Sequence, residues 1–130
     1  MAVSFEISER FNVDAARLYS AWLDSEEHGA MTGGEAYIEA SVGGEFTAWD
    51  EYIWGKTLEL QPNQKIVQAW RTAEFEAADG DSRLEIELKP DGDGTLLTLR
   101  HSEIPEGQPD YKQGWEDNYF VPMREYFKGQ

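Results

Sequence analysis

Few side chains in this sequence are equipped for chemistry. His101 closes the alternation Leu97, Leu99, His101, and on a strand that spacing places it on the apolar face. One reading of an inward histidine is a buried neutral ring satisfied by a backbone or side-chain partner. The other is a polar anchor or proton donor for a bound molecule, or, with a carboxylate beside it, the acid and base of a cyclase- or hydrolase-type reaction. Gln68 and Asp50 are lesser candidates for the same polar role, and Tyr19, Tyr37 and Tyr52 add hydroxyls whose direction the pattern leaves open. His28 falls in a polar stretch and is expected at the surface. Two histidines so far apart, in a chain without cysteine, match no metal-ligand spacing, so neither a metal nor a cofactor is expected.

The short chemical motifs are missing too. Asp91-Gly92-Asp93-Gly94 opens like a calcium loop, but an EF-hand needs glycine at its sixth and glutamate at its twelfth position, where this chain has Leu96 and Ser102. The segment reads as a tight turn. Neither Gly33-Gly34 nor Gly43-Gly44 is followed by the Gly-Lys-Ser/Thr of a phosphate cradle, and no Gly-x-Ser-x-Gly nucleophile elbow occurs.

Composition narrows the partners. The 130 residues carry a formal charge of −15, which repels nucleic-acid backbones and anionic membrane leaflets. A basic protein partner is compatible with that field; so is a merely solvated surface. No stretch has transmembrane length and no leader is visible near Met1, so the expected location is the cytoplasm, without a membrane span. Five Trp, six Tyr and six Phe supply most of the material for a core.

The elements that must position these residues follow from periodicity. Val3, Phe5 and Ile7 alternate with polar residues as a half-buried strand does. Ala15, Leu18, Tyr19 and Trp22 mark one face of a helix, with Asn12 or Asp14 as its cap, and Asp24 to Ala30 adds a short helical turn. A meander of about six strands follows, by the same period-two signal: one through Ala36, Ile38, Ala40 and Val42, one through Phe46 and Ala48, then Tyr52 to Leu60, Ile66 to Ala73, a strand through Leu84, Ile86 and Leu88, and one through Leu97 and Leu99. Phe46 is expected inside and Trp49 outside or in an interface; the Leu58 and Leu60 register would place Trp54 inside, unless Gly55 marks a bulge. Tyr111, Trp115, Tyr119, Met123, Tyr126 and Phe127 recur at helical steps, in a closing helix that Pro122 should kink. The expectation is one α+β domain over 1–130: an antiparallel sheet of six to seven strands, curved around a long C-terminal helix.

That order of elements resembles the helix-grip fold of the START/Bet v 1-like superfamily. Within it, Gly43-Gly44-Glu45-Phe46, Gly55, Leu60-Gln61-Pro62 and Ile66-Val67-Gln68-Ala69-Trp70-Arg71 are similar to the C-terminal domain of activators of the Hsp90 ATPase. Thr95-Leu96-Leu97-Thr98-Leu99-Arg100-His101, Gln113-Gly114-Trp115 and Tyr119-Phe120 match the later part of the same pattern. The resemblance implies a largely apolar cavity between sheet and C-terminal helix. Its candidate lining is Phe46, Gln68, Trp70, Leu97, Leu99, His101, Trp115, Tyr119 and Met123. The first expected function is therefore binding of a small apolar ligand, lipid or polyphenol-like, by a monomer or weak dimer. The second is a co-chaperone-like action on an Hsp90-type ATPase, although the eukaryotic activators carry a further N-terminal domain for which this chain has no room. The third is an enzyme of cyclase or hydrolase type using His101.

Overall fold

The computed structural model describes residues 2–128. Strand β1 (Val3–Phe11) leads into helices α1 (Ala15–Leu23) and α2 (Ser25–Thr32). Six strands follow: β2 (Tyr37–Ile38), β3 (Glu45–Ala48), β4 (Ile53–Gln61), β5 (Lys65–Thr72), β6 (Ser82–Asp91) and β7 (Gly94–Ile104). A continuous helical run over 111–127 closes the chain, made of α3 (Tyr111–Trp115), a π-helical turn (Glu116–Phe120) and α4 (Val121–Phe127). The sheet order is β1-β7-β6-β5-β4-β3-β2, and every pair is antiparallel. This is the helix-grip arrangement of an α+β protein. No helix among the described residues is long and apolar enough to cross a membrane.

Local chemistry sets the ends of the elements. Asp14 caps α1 by accepting from the Arg17 amide at 2.9 Å, and Asp24 caps α2 by accepting from Glu27 at 2.9 Å. Asp24 also terminates α1, so the two helices turn a corner on one residue. Gly33, at φ 91°, ends α2 in the left-handed conformation that glycine adopts without penalty.

The inward residues of the central strands are buried: Ile66, Gln68, Trp70 and Thr72 on β5, Leu84, Ile86 and Leu88 on β6, Leu97, Leu99 and His101 on β7. The apolar ones among them meet Trp115, Phe120, Met123 and Phe127 from the C-terminal run in one hydrophobic cluster. Each aliphatic or phenylalanine side chain among them contributes about 1.5–3 kcal/mol on leaving water.

Two expectations need correction. The strand through Ala36 to Val42 shrinks to Tyr37–Ile38, because a turn at Ser41–Gly44, closed by Gly44 N–H to Ser41 O at 2.9 Å, ends it early and leaves Val42 exposed. Trp54 faces outward, beside Thr47 and Arg71, while Ile53 faces inward. The bulge in β4 lies between Thr57 and Glu59, so Leu58 and Leu60 share no register: Leu58 is exposed like Trp54, and Leu60, opposite Ile66, is half-buried. At Pro122 the closing helix is irregular: the turn before it widens, with the Val121 N–H bonding Glu116 O five residues back, and Pro122 occupies the first turn of α4. The extra residue in that turn lets the adjacent Tyr119 and Phe120 both be buried.

Gly55 marks a close approach rather than a bulge. A Cβ there would lie 1.9 Å from Ala69 O and 2.9 Å from the Phe46 ring. Gly55→Ala is expected to destabilise the fold by about 2–3 kcal/mol, as overpacking of a closed interior does. Urea denaturation checks this, and an unchanged midpoint would refute the packing described at β3–β5.

Candidate functional site

Trp115 and Tyr119 stand one helical turn apart and point at two histidines. Trp115 Nε1–H donates to His101 Nδ1 at 3.1 Å. An indole nitrogen can only donate, so Nδ1 must be the bare nitrogen and His101 carries its proton on Nε2. That proton goes to Ser82 Oγ at 2.8 Å, and Ser82 donates in turn to Trp70 O at 2.7 Å. Both ring nitrogens of His101 are committed, and burial lowers its pKa to about 3. As an acid or base it would have to give up one of these bonds.

His28 is not at the surface, as its polar neighbourhood suggested. It is buried, because α2 folds back against the C-terminal helix and turns the ring inward. Its Nδ1 lies 2.8 Å from Trp22 O, an acceptor only, so Nδ1 carries the proton; Nε2 then accepts from the Tyr119 hydroxyl at 2.8 Å. Burial lowers the His28 pKa to about 4 and raises that of Tyr119 above the ordinary tyrosine value. The rings pack closely: Trp22 to Tyr119 at 5.2 Å, Trp70 to Trp115 at 5.6 Å and Trp115 to Tyr119 at 4.6 Å between centroids.

In front of this aromatic layer lies a cavity of about 220 Å³. The sheet supplies Ile53 and Trp70, the β3–β4 turn supplies Trp49 and Tyr52, and one edge of the helix supplies Tyr111, Gly114, Trp115, Asn118 and Tyr119. Of the residues expected to line a cavity, Trp70, Trp115 and Tyr119 do so in the structure. Phe46, Gln68, Leu97, Leu99, His101 and Met123 are buried in the packed interior instead, outside that lining. The residues in the middle of the sheet–helix interface are buried, and this cavity lies toward the start of the helical run.

The alternation signal misses Trp49, because the strand ends at Ala48. Trp49, Asp50 and Glu51 then take φ values of 50°, 57° and 72° in succession, which turns the Trp49 ring back across Gly34. Left-handed residues other than glycine cost of order 1 kcal/mol or more each. The turn is held by two hydrogen bonds, Asp50 N–H to Glu35 O at 3.0 Å and Glu35 N–H to Asp50 Oδ1 at 2.9 Å. Asp50 is thus a clamp for the turn. Gly34 is the sequence signal that was available: a Cβ there would meet the Trp49 ring at 2.6 Å. Tyr111, also at the rim, exchanges hydrogen bonds with Thr72 at 2.6 Å and Gln108 at 2.8 Å, and burial raises its pKa.

A seven-stranded antiparallel sheet gripping a C-terminal helix, with an aromatic-walled cavity under one edge of that helix, defines a helix-grip domain. The chain belongs to the Activator of Hsp90 ATPase homolog 1-like protein family, whose model matches residues 12–128. It is 27% identical over 123 residues to the activator of 90 kDa heat shock protein ATPase homolog 2 of Mus musculus, covering 94% of this chain and 37% of that protein. It therefore spans little more than a third of the length of such curated relatives. The crystal structure of an HSP90 activator from Plasmodium falciparum superposes with a TM-score of 0.85 at 26% identity, over 95% of this chain and 94% of that one. The solution structure of the Aha1 dimer from Colwellia psychrerythraea superposes with a TM-score of 0.75 at 13% identity, over 96% and 93% of the two chains, a likeness of fold.

The neutral histidines make stability depend on acid. In the unfolded chain both titrate near 6.5, whereas the folded values are about 4 for His28 and about 3 for His101. The unfolded state therefore binds protons first, and stability is lost as pH falls from 6.5 toward 3, by up to about 1.4 kcal/mol per histidine for each pH unit. Urea unfolding at pH 5 is expected to give a stability up to about 4 kcal/mol below that at pH 7. A flat profile across that interval would refute the buried neutral assignment.

Proposed function

We propose that the domain binds a small planar molecule of one or two fused rings in the cavity under Trp115 and Tyr119. The observation that carries this reading is the cavity itself, about 220 Å³ with six aromatic rings among its nine lining residues. An apolar protein cavity of about 150 Å³ takes up benzene, so this space suits a bicyclic ring system. It falls below the roughly 300–1,000 Å³ of sites for drug-sized ligands. A sterol or long-chain lipid would have to leave much of its length outside. Trp70, Trp115 and Tyr119 are the ligand-binding residues on this reading, with Trp49 and Tyr52 at the entrance and the exposed Asn118 amide as a polar group at the rim.

Gly114 supplies the test. A Cβ added there meets only Asn118 Nδ2, at 3.9 Å, so a longer side chain has room to enter the opening. Gly114→Leu is expected to abolish the tryptophan fluorescence change on titration with two-ring aromatic compounds. It should also raise stability by about 0.5–1 kcal/mol, because glycine is poor in a helix. Failure of the wild-type protein to respond to any one- or two-ring compound would refute the proposal.

A second reading is favoured by the family relatives named above: docking on an Hsp90-type chaperone. The superposition covering nearly all of a chain described as an HSP90 activator supports it. Addition of the domain to the ATPase of an Hsp90 homologue should then raise turnover, and no change at micromolar protein would refute this reading.

A further inference from the structure

The cavity's size selects how large a ligand is; its lining selects what charge that ligand carries. The six rings are Trp49, Tyr52, Trp70, Tyr111, Trp115 and Tyr119, and phenylalanine is absent among them. Phe11, Phe46, Phe120 and Phe127 are all buried elsewhere in the core. Indole and phenol present the most electron-rich faces available to a protein. Most of the lining donors that could serve an anion are already spent, leaving the Trp70 indole N–H and the Asn118 amide at the rim. Trp115 Nε1–H is given to His101, the Tyr119 hydroxyl to His28, and the Tyr111 hydroxyl to Gln108. Trp49 Nε1 has no partner, but it is itself closed off from any water-sized molecule, so it offers nothing to a ligand.

No positive charge competes for these faces. The lining contains no Lys or Arg. Among the described residues, the guanidinium groups seated over rings are Arg17 over Tyr126 and Phe127 and Arg71 over Phe75, none of which lines the cavity. Lys112, beside Tyr111 in sequence, is exposed and outside the lining. Negative charge lies beside the opening instead. Asp50 and Glu51 lie on the turn between Trp49 and Tyr52, the Tyr52 hydroxyl donates to Glu74 Oε2 at 3.4 Å, and Asp117 precedes Asn118 on the helix. The whole chain adds a field of −15.

We propose, resting on the ligand-binding reading above, that the cavity selects small aromatic cations, of the N-alkylated ring type, over neutral and anionic molecules of the same shape. A quaternary nitrogen needs no hydrogen-bond acceptor and loses little on desolvation among rings, so electron-rich faces are sufficient to hold it.

Three compounds of one shape test this: N-methylquinolinium, 1-methylnaphthalene and 1-naphthoate, titrated into the intact chain by calorimetry. The cation is expected to bind about tenfold or more tightly than the neutral compound, and the carboxylate to bind weakest. The preference should persist at about 0.5 M salt, which screens the surface field but not a contact inside the cavity. Tyr52→Leu and Trp49→Leu should each narrow the gap between cation and neutral compound while retaining the neutral one. Equal affinities, tightest binding of the carboxylate, or a preference that vanishes in salt would each overturn the charge selectivity and leave the ligand-binding reading standing. Absence of binding by all three would overturn both.

Discussion

The placement of the C-terminal helix depends on two hydrogen bonds that it donates to uncharged imidazoles. Trp115 reaches His101 on β7, and Tyr119 reaches His28 on α2. The donors are four residues apart on one helical face, and their acceptors belong to different layers of the fold. A helix satisfying both has one roll angle and one depth. Rotating it would leave two buried donors and two buried ring nitrogens unpaired, at about 1–3 kcal/mol each. Apolar packing alone is more permissive, since hydrophobic contacts are non-directional. The directional bonds convert a greasy stripe into a fixed orientation.

The cavity follows from that orientation. With the faces of Trp115 and Tyr119 fixed against the interior, the helix edge that remains carries Gly114 and Asn118, which are too small to close the space below. The π-helical turn ahead of Pro122 accommodates both Tyr119 and Phe120 inside, so the interface beneath that turn is filled while the cavity beside Gly114 stays open. On the opposite side, three consecutive left-handed residues bring Trp49 over the opening. Conformational strain, a proline and a glycine thus cooperate around one site, where local rules give way to the requirements of a larger arrangement.

The sequence made the strands and helices of the fold readable because they rest on simple periods. Leu84, Ile86 and Leu88, or Leu97, Leu99 and His101, need no partner to show which way they face. Gly55 and Trp54 were harder, since a bulge between Thr57 and Glu59 changes the register with no local marker. The site was legible only in part. Trp70, Trp115 and Tyr119 announced an inward direction. Trp49 and Tyr52 enter through backbone that has left the strand, where alternation carries no information. His28 was unreadable for another reason: its helix has no apolar stripe, and its burial arises from a partner 91 residues away.

Imidazole nitrogen NMR tests the central claim most directly, because nitrogen shifts separate protonated from bare ring positions. At neutral pH two uncharged histidines in opposite tautomers are expected: His101 with its proton on Nε2, and His28 with its proton on Nδ1, neither averaging between forms. A charged ring at either position, or the same tautomer in both, would contradict the pair of bonds on which the helix and its cavity rest.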